Sequence, residues 1–278
     1  MSGPLWRFLR LVPEPPSLLP AGGDLSAMSD RPPDDARVGV VGAGADAPVV
    51  AAVSAGGGDP LVGDAGTVVG AAPAAVVAVG ERALVDLVVA GVEAPVLPVS
   101  AGASVRSIPA TSVESAVASV LAGDRSTTSH PLLGVEWATG ECVRALFDLA
   151  LVTAEPARIS EYTVSNGDER VATFRADGVV VATPAGSTGY ARAADGPVLA
   201  PGTGVVAVVP VSPFATDADH WVLPADGVGL RVERDETPVD LVVDGRAVGT
   251  VEPGRRLEVS TRGAVTVAVV DASADFFG

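Results

Sequence analysis

Residues 177–197 read DGVVVATPAGSTGYARAADGP, and this stretch decides what kind of structure the chain builds. The run Val179 to Ala182 has the density of β-branched side chains typical of a buried strand, and Pro184 and Gly186 interrupt that pattern directly after it. The loop that follows combines bare main chain at its glycines with several hydroxyl side chains, a set of donors and acceptors that suits ribose or phosphate oxygens. Two interpretations stay open at this point, a loop that binds a polar ligand and an ordinary tight turn.

Length and cysteine content limit the class of protein. A chain of 278 residues buries a sizeable core and favours two modest domains. Cys142 is the only cysteine, which excludes an intrachain disulfide and a zinc site built from several thiolates, so we predict a cytoplasmic protein. We expect neither a membrane span nor a signal peptide, and we interpret residues 1–36 as a disordered leader or a mis-called start.

The charge balance is strongly acidic. Asp and Glu number 34 against 18 basic residues, all of them Arg, which gives a formal net charge of −16. Binding to a phosphate backbone needs clustered cations, so nucleic acid is excluded as a partner. A lysine-free acidic chain is typical of a halophilic protein, because salt at about 1 M screens charge repulsion within a few ångströms. A coding bias toward Ala, Gly, Val, Arg and Asp explains the composition equally well.

Two patterns of hydrophobic residues divide the chain. Over residues 37–125, short β-branched runs alternate with Ala-rich segments, which predicts an α/β domain with a parallel sheet; the runs include Thr67–Val69 and Ala75–Val79, and the helical segments include Arg82–Ala90. Over residues 126–265, alternating strands predict an all-β, sandwich-like domain, and we expect residues 266–278 to form a final strand and tail that return to the first domain. The predicted strands of the second part are Arg158–Val164, Arg170–Phe174, Val205–Val209, Gly229–Arg234, Val239–Val243, Leu257–Ser260 and Ala264–Val270.

The stretch 177–197 also closely resembles the DG-x4-TPTGSTAY segment of the NAD kinase family, with Ala185 in place of the second Thr and Gly189 in place of the Ala. The resemblance continues through Trp221 to Pro224 and through the turn at Asp244 and Gly245. It implies an α/β nucleotide-binding domain followed by a β-rich domain that binds a dinucleotide. It also implies NAD or NADP as ligand, ATP with Mg²⁺ as phosphoryl donor, and a homo-oligomer, a dimer or a tetramer.

The family's GGDGT motif, which implies phosphate contact and a general base, has a degenerate counterpart here. The segment VGERALV at residues 79–85 stands at its place, so Gly80 matches a glycine, Glu81 the Asp that accepts the ribose 2′-hydroxyl proton, and Arg82 a glycine. Because phosphoryl transfer depends on positioning and charge, these exchanges weaken the case for catalysis. Arg82 is compatible with neutralising a phosphate and equally with pairing to Glu81. The cluster Gly56 to Pro60 has only a superficial likeness to the motif, and we predict a helix-to-strand connection there.

Two further family motifs are only partly kept. Ala145 to Leu149 resembles the ALNE/ALND segment, with Phe147 replacing the Asn and Asp148 keeping the acid; Phe147 is compatible with stacking on a base and with a place in the core. Gly102 is the one residue kept of the G-I-N-x-G motif. The two histidines, His130 and His220, suggest no metal pair, so Mg²⁺ is expected to arrive with ATP.

The candidate site therefore has one candidate base, Glu81, and a set of candidate dinucleotide-binding residues. The resemblance implies that some of the contacts made by these binding residues cross between subunits. Structural roles stay open for several of them, such as a turn at Asp177 and a core cap at Tyr190. Three functions remain: an NAD kinase-like enzyme, a non-catalytic NAD(P)-binding or regulatory paralogue, and, with less support, a lipid kinase of the wider superfamily. The candidate binding residues are Gly80, Arg82, Asp148, Arg175, Asp177, Thr183, Gly186, Ser187, Thr188, Gly189 and Tyr190.

Overall fold

The computed structural model describes residues 37–42, 44, 47–137, 140–155, 158–215, 218–234 and 237–277. The leader predicted for residues 1–36 lies outside these residues. An α/β region comes first in the chain and a mostly β region follows it, so the predicted fold class is confirmed.

The α/β region is built on four parallel strands in the order β2, β1, β3, β4, counted along the sheet. Side chains that alternate along β1 and β3 point to opposite faces, so one face packs against the first and fourth helices and the other against the second and third. The elements are β1 (Arg37–Val41), α1 (Ala47–Ala55), β2 (Asp59–Val62), α2 (Ala65–Gly70), β3 (Ala75–Val79), α3 (Glu81–Ala90), β4 (Val96–Val99) and α4 (Val113–Ala122).

The prediction of a strand at Thr67–Val69 is wrong, because this segment lies in α2. The Asp64 side chain caps the helix by accepting a hydrogen bond from the Thr67 N–H at 2.8 Å. Val68 is fully buried between the sheet and α3. Capping and burial thus outweigh the modest strand preference of three β-branched residues. Gly56 and Gly57 form the turn between α1 and β2, as predicted.

The β-rich region surrounds a core made by the inward-facing side chains of its strands, with Leu151, Tyr162 and Leu241 among the largest buried residues. A smaller cluster on the other face of the sheet includes Ala191 from a short helix. The elements are β5 (Ser126–Glu136), β6 (Cys142–Ala145), β7 (Asp148–Thr153), β8 (Ser160–Asn166), β9 (Glu169–Ala182), α5 (Tyr190–Ala193), β10 (Val205–Pro213), β11 (Trp221–Pro224), β12 (Val228–Arg234), β13 (Val239–Val243), β14 (Arg246–Val251) and β15 (Arg256–Val269).

The long strand β15 joins the two regions. Its C-terminal half pairs in parallel with β4 at Val267 and Val96, while it also runs antiparallel to β5 and β12. The two strands predicted at Leu257–Ser260 and Ala264–Val270 are therefore one strand. A bulge interrupts its register after Thr261, and Gly263 adopts the left-handed φ of 94° there.

Candidate functional site

A cleft of about 870 Å³ lies between the two regions and is lined by residues from both. The α/β region contributes the first residue of α3 and the loop after β4, and the β-rich region contributes the loops after β6, β9 and β13. The lining residues are Glu81, Ala101, Gly102, Ala103, Ser104, Phe147, Asp148, Ala150, Val152, Ala185, Gly186, Thr188, Gly189, Tyr190, Val198, Val242, Asp244, Gly245, Phe276 and Phe277.

The loop singled out from the sequence forms one wall of this cleft. After β9 ends at Ala182, the chain makes one 3₁₀ turn at Gly186–Thr188 and begins α5 at Tyr190. An ordinary tight turn is therefore wrong for this stretch. The 3₁₀ turn and the first residue of α5 place Thr188 and Tyr190 on the cleft surface.

The cleft floor is formed by Phe147 and Asp148, with the buried Leu146 before them, and the backbone of these three residues is fully hydrogen-bonded from two sides. The Thr183 hydroxyl donates to the Leu146 carbonyl at 2.7 Å, and the Thr183 N–H donates to the Phe147 carbonyl at 2.9 Å. On the other side, the Asp244 carboxylate accepts from the N–H groups of Leu146, Phe147 and Asp148 at 2.8, 2.7 and 3.0 Å. The Asp244 N–H completes the set by donating to the Asp148 carbonyl. These bonds hold the floor between the DG hairpin and the glycine-rich loop.

Asp244 reaches the floor because it lies in the two-residue turn between β13 and β14. Both turn residues have positive φ, 46° at Asp244 and 73° at Gly245, which is the twist-matched hairpin turn that an Asp-Gly pair favours. The predicted hairpin turn is present, and the same residue also binds three donors of the floor. Ionic or charge-assisted bonds to backbone N–H groups are stronger than neutral ones, so one side chain fixes the whole segment.

Gly186 permits the close contact between the floor and the wall. A β-carbon at Gly186 would lie 2.0 Å from the Phe147 carbonyl oxygen, a distance that backbone atoms do not tolerate. The absence of a side chain therefore lets the two segments pack against each other. Glycine is needed here for packing and not for an unusual backbone conformation, since Gly186 lies in a 3₁₀ turn and the residue before it is helical.

Replacing Gly186 with Ala is expected to destabilise the fold, because the new methyl group must displace the Phe147 backbone. Overpacking of this kind costs about 1–3 kcal/mol, which lowers the melting temperature by several degrees in a chain of this size. Thermal denaturation followed by circular dichroism measures the effect. Gly70→Ala serves as control because its β-carbon would meet nothing within 4 Å. Equal melting temperatures for the two variants would contradict the packing requirement.

Three carboxyl groups face this cleft. Glu81 begins α3, Asp148 ends the floor, and Asp244 lies behind it. Burial raises the pKa of Asp148 to about 7, and the charges of Asp244 and Glu81 add to that shift. Burial also raises the pKa of Asp244, while the three N–H donors and Arg246 act in the opposite direction. Near neutral pH a part of the Asp148 side chains is thus protonated and can donate a hydrogen bond, and the rest is ionised and can only accept one.

Replacing Asp148 with Asn is expected to change how stability depends on pH. Because the folded-state pKa lies above the usual value of about 3.9, folding favours the protonated acid. The stability due to this group is full below about pH 4 and is lost as the pH rises through about 7, a change of the order of a few kcal/mol. The wild-type chain should therefore lose stability relative to Asp148→Asn over this window.

The measurement is the melting-temperature difference between variant and wild type at each half unit of pH. Asp124→Asn, at an exposed surface position, is the control against which the difference for Asp148→Asn is compared. A difference for Asp148→Asn that stays equally flat from pH 4 to pH 8 would show that burial does not shift this carboxyl.

The structure brings together six of the residues predicted from the sequence. These six line the cleft from the α/β region, the floor and the loop wall: Glu81, Asp148, Gly186, Thr188, Gly189 and Tyr190. Burial raises the pKa of the Tyr190 phenol, and the charges of Asp148 and Asp177 contribute to the shift.

Thr183 and Ser187 lie beneath the surface of the loop. The Ser187 hydroxyl donates to the Pro184 carbonyl at 2.7 Å and accepts from the Leu199 N–H at 3.0 Å. The Thr183 hydroxyl binds the floor and accepts from the Gly186 N–H at 3.1 Å. Both hydroxyls thus hold the loop in shape, and direct ligand contact by them stays a prediction.

Gly80 and Arg82 flank Glu81 but do not line the cleft. Gly80 caps α3 with a φ of 87°, and its N–H donates to the Val99 carbonyl at 2.8 Å. Arg82 lines an adjoining cavity of about 730 Å³ and forms an ion pair with Asp86 at 3.7 Å. The sequence left two roles open for Arg82, contact with a phosphate and pairing with Glu81. The ion pair with Asp86, one helical turn further along α3, takes the place of the pairing with Glu81.

Arg175 and Asp177 lie on β9, away from the cleft lining. Arg175 is opposite Glu161 of β8, and the Asp177 carbonyl accepts a hydrogen bond from the Tyr162 hydroxyl at 3.4 Å. The structure thus brings neither side chain to the cleft of its own chain. Their role in binding stays a prediction.

Sequence reasoning missed two parts of the cleft. Phe276 and Phe277 approach it from the segment after β15, and Ala103 and Ser104 extend the lining beyond Gly102. The pair of adjacent phenylalanines was the available signal, because aromatic residues make up only 4% of the chain. Among the residues described, no group of His, Cys, Asp and Glu is arranged to hold a metal ion, and no helix is long and apolar enough to cross a membrane.

Comparison with known proteins gives the class of this fold. The chain aligns with the crystal structure of an NAD kinase from Archaeoglobus fulgidus in complex with ATP, with a TM-score of 0.71, 18% identity and coverage of 83% of this chain and 92% of the other. It aligns with yeast NADH kinase complexed with NADH with a TM-score of 0.71, 15% identity and coverage of 86% and 84%. The fold is that of the NAD kinases.

Sequence comparison points to the same group of proteins. Residues 147–270 match the family model of the ATP-NAD kinase C-terminal domain. NAD kinase of Methanosarcina barkeri is 39% identical over 100 residues, 36% of each chain, and NAD kinase of Methanothermobacter thermautotrophicus is 33% identical over 158 residues, 55% of each chain. The matched part therefore spans about half or less of the length of these relatives. Together the matches support the NAD kinase family, most strongly in the β-rich region.

Proposed function

We propose that the cleft binds NAD and that the chain transfers the γ-phosphoryl group of ATP to the adenosine ribose 2′-hydroxyl, giving NADP and ADP. The observation that carries this proposal is the position of Glu81, whose side chain lines the same cleft as the floor and the loop 185–190. The family resemblance of those segments supports the dinucleotide as ligand. Thr188, Gly189 and Tyr190 bind it from the loop side, and Asp148 binds it from the floor.

Glu81 is the proposed general base. Its carboxylate accepts the 2′-hydroxyl proton while the bond from the ribose oxygen to the γ-phosphorus forms and the bond from that phosphorus to the β-phosphate oxygen breaks. Mg²⁺ would arrive bound to ATP and would supply charge neutralisation at the phosphates.

A non-catalytic NAD(P)-binding paralogue is the second candidate. It is favoured by the charge of the cleft, because no Arg is present among the described residues that line it. Arg82, which follows the proposed base, pairs with Asp86 and faces the adjoining cavity. In this alternative the loop and floor keep the dinucleotide site, while the apparatus for phosphoryl transfer has been lost.

The proposal extends to the conditions and the assembly. The acidic, lysine-free composition fits a divergent haloarchaeal-type protein that works in a cytoplasm of molar salt. We assign ATP binding to residues 37–125 and dinucleotide binding to residues 126–265, with residues 266–278 returning to the first domain. We assign the contacts of Arg175 and Asp177 with the dinucleotide to a subunit boundary in a homo-oligomer.

Replacing Glu81 with Gln is expected to lower kcat for NADP formation by about 10² or more, since the amide cannot accept the proton. Glu81→Asp, which restores the residue type of the resembled motif, should keep most of the activity. NADP formation is measured with ATP, Mg²⁺ and NAD in molar salt, and NAD affinity is measured beside it by calorimetry. Glu114→Gln is the matched control, because Glu114 also lies in the first turn of a helix, α4, and is remote from the cleft.

The two candidate functions give different results in this experiment. Catalysis by the wild-type chain that is lost only in Glu81→Gln supports the kinase. A wild-type chain that binds NAD and forms no NADP overturns catalysis and supports the non-catalytic paralogue. Equal activity of Glu81→Gln and Glu114→Gln would remove Glu81 from the mechanism.

A further inference from the structure

The cleft gathers an unusual share of the aromatic residues of this chain. The chain has six Phe, and three of them, Phe147, Phe276 and Phe277, line the cleft together with Tyr190. Two of the three, Phe276 and Phe277, belong to the segment after β15 and follow the last residue matched by the family model. The segment 270–277 therefore adds a feature that the family comparison does not assign.

This segment is fixed in place by polar contacts. The Ala274 N–H donates to the Ser107 carbonyl at 3.0 Å, and Asp275 forms an ion pair with Arg106 at 3.3 Å. The Ser107 hydroxyl in turn accepts from the Ala101 N–H at 2.8 Å. The tail is thus attached to the same loop after β4 that lines the cleft.

The two phenylalanine rings have different surroundings. Phe276 is 6% exposed and fills the space between the cleft and a small cavity beside His130. Phe277 is 69% exposed, and its ring meets that of Phe276 edge to face, with centroids 4.9 Å apart and an angle of 80°. Phe276 therefore anchors the tail, and Phe277 presents a ring to the cleft with much of its surface in water.

An exposed phenylalanine ring at the rim of a ligand cleft leaves apolar surface in water, which is unfavourable. A flat ligand that covers the ring buries this surface and gains the corresponding free energy. Stacking of a base on an aromatic side chain buries one face of the base and one face of the side-chain ring. Its strength depends little on which base is stacked. A ring that is already held in place by the backbone and by a neighbouring ring loses less conformational entropy when it binds a ligand. Phe277 meets both conditions.

We propose that Phe277 is a binding residue that stacks on a heteroaromatic ring of the dinucleotide, either its adenine or its nicotinamide. The inference rests on the proposed function, since it takes the ligand to be NAD. It assigns to the segment 270–277 the role of an aromatic clamp in the same cleft that Tyr190 lines. Adenine and nicotinamide share the flat π surface that the ring recognises, and binding of the two half-molecules distinguishes them.

The test compares NAD affinity by calorimetry for the full chain with Phe277→Ala, Phe277→Leu and Phe214→Ala. Phe214 is the matched control, since it is 74% exposed and does not line the cleft. Phe277→Ala should weaken NAD binding roughly 5- to 100-fold, the usual cost of losing one stacked base. Phe277→Leu should weaken it nearly as much, because it keeps apolar area without a ring face, and Phe214→Ala should bind like wild type.

Binding of AMP and of nicotinamide mononucleotide shows which ring is stacked, because only the half-molecule that contacts Phe277 loses affinity in Phe277→Ala. Unchanged NAD affinity in Phe277→Ala, or wild-type affinity in Phe277→Leu, would overturn the stacking role while the proposed function stands. A changed oligomer mass with unchanged NAD affinity would instead make Phe277 an interface residue. A wild-type chain that binds no NAD overturns the proposed function, and the clamp with it.

Discussion

The carboxylate of Asp244 accepts three consecutive backbone N–H groups, and the shape of the cleft depends on this interaction. The carboxylate is held at the right place by a two-residue hairpin turn, whose positive φ angles the Asp-Gly pair adopts readily. The backbone that it binds, Leu146 to Asp148, is held from the opposite side by Thr183. Two loops that are distant in sequence are therefore joined through one short segment, and hydrogen bonds within the protein set the position of the cleft floor.

The same hairpin also connects the β-rich region to the α/β region. Arg246, two residues after Asp244, pairs with Asp86 on α3, the helix that begins with Glu81. Strand β15 makes a second connection by pairing with β4 in one region and with β5 and β12 in the other. The candidate base and the cleft floor thus have a defined relative position, although they belong to different parts of the fold. Positioning of this kind is what phosphoryl transfer requires.

The strands of the β-rich region could be predicted from the sequence, because local chemistry dictates them. β-branched runs and glycine turns predict the strands of the β-rich region, and the strand Val239–Val243 has the bounds expected from alternation alone. Thr67–Val69 was mispredicted because a capping Asp and tertiary burial decide the state of so short a run. The place of Phe277 in the cleft lining was missed, since it depends on contacts distant in sequence, such as the ion pair between Arg106 and Asp275, which are 169 residues apart. Hydroxyls at Thr183 and Ser187 looked like ligand groups, and the structure uses them to hold the loop.

Asp244 fixes the position of the cleft floor, and the proposed binding of the dinucleotide depends on that position. Hydrogen exchange at the amides of residues 146–148, measured in the wild-type chain and in Asp244→Gly, tests it directly, because a Gly-Gly pair keeps the hairpin turn and removes only the carboxylate. The account predicts exchange roughly 10-fold faster or more at these three amides, with β9 unchanged and NAD binding weakened. Unchanged exchange at residues 146–148 would contradict it.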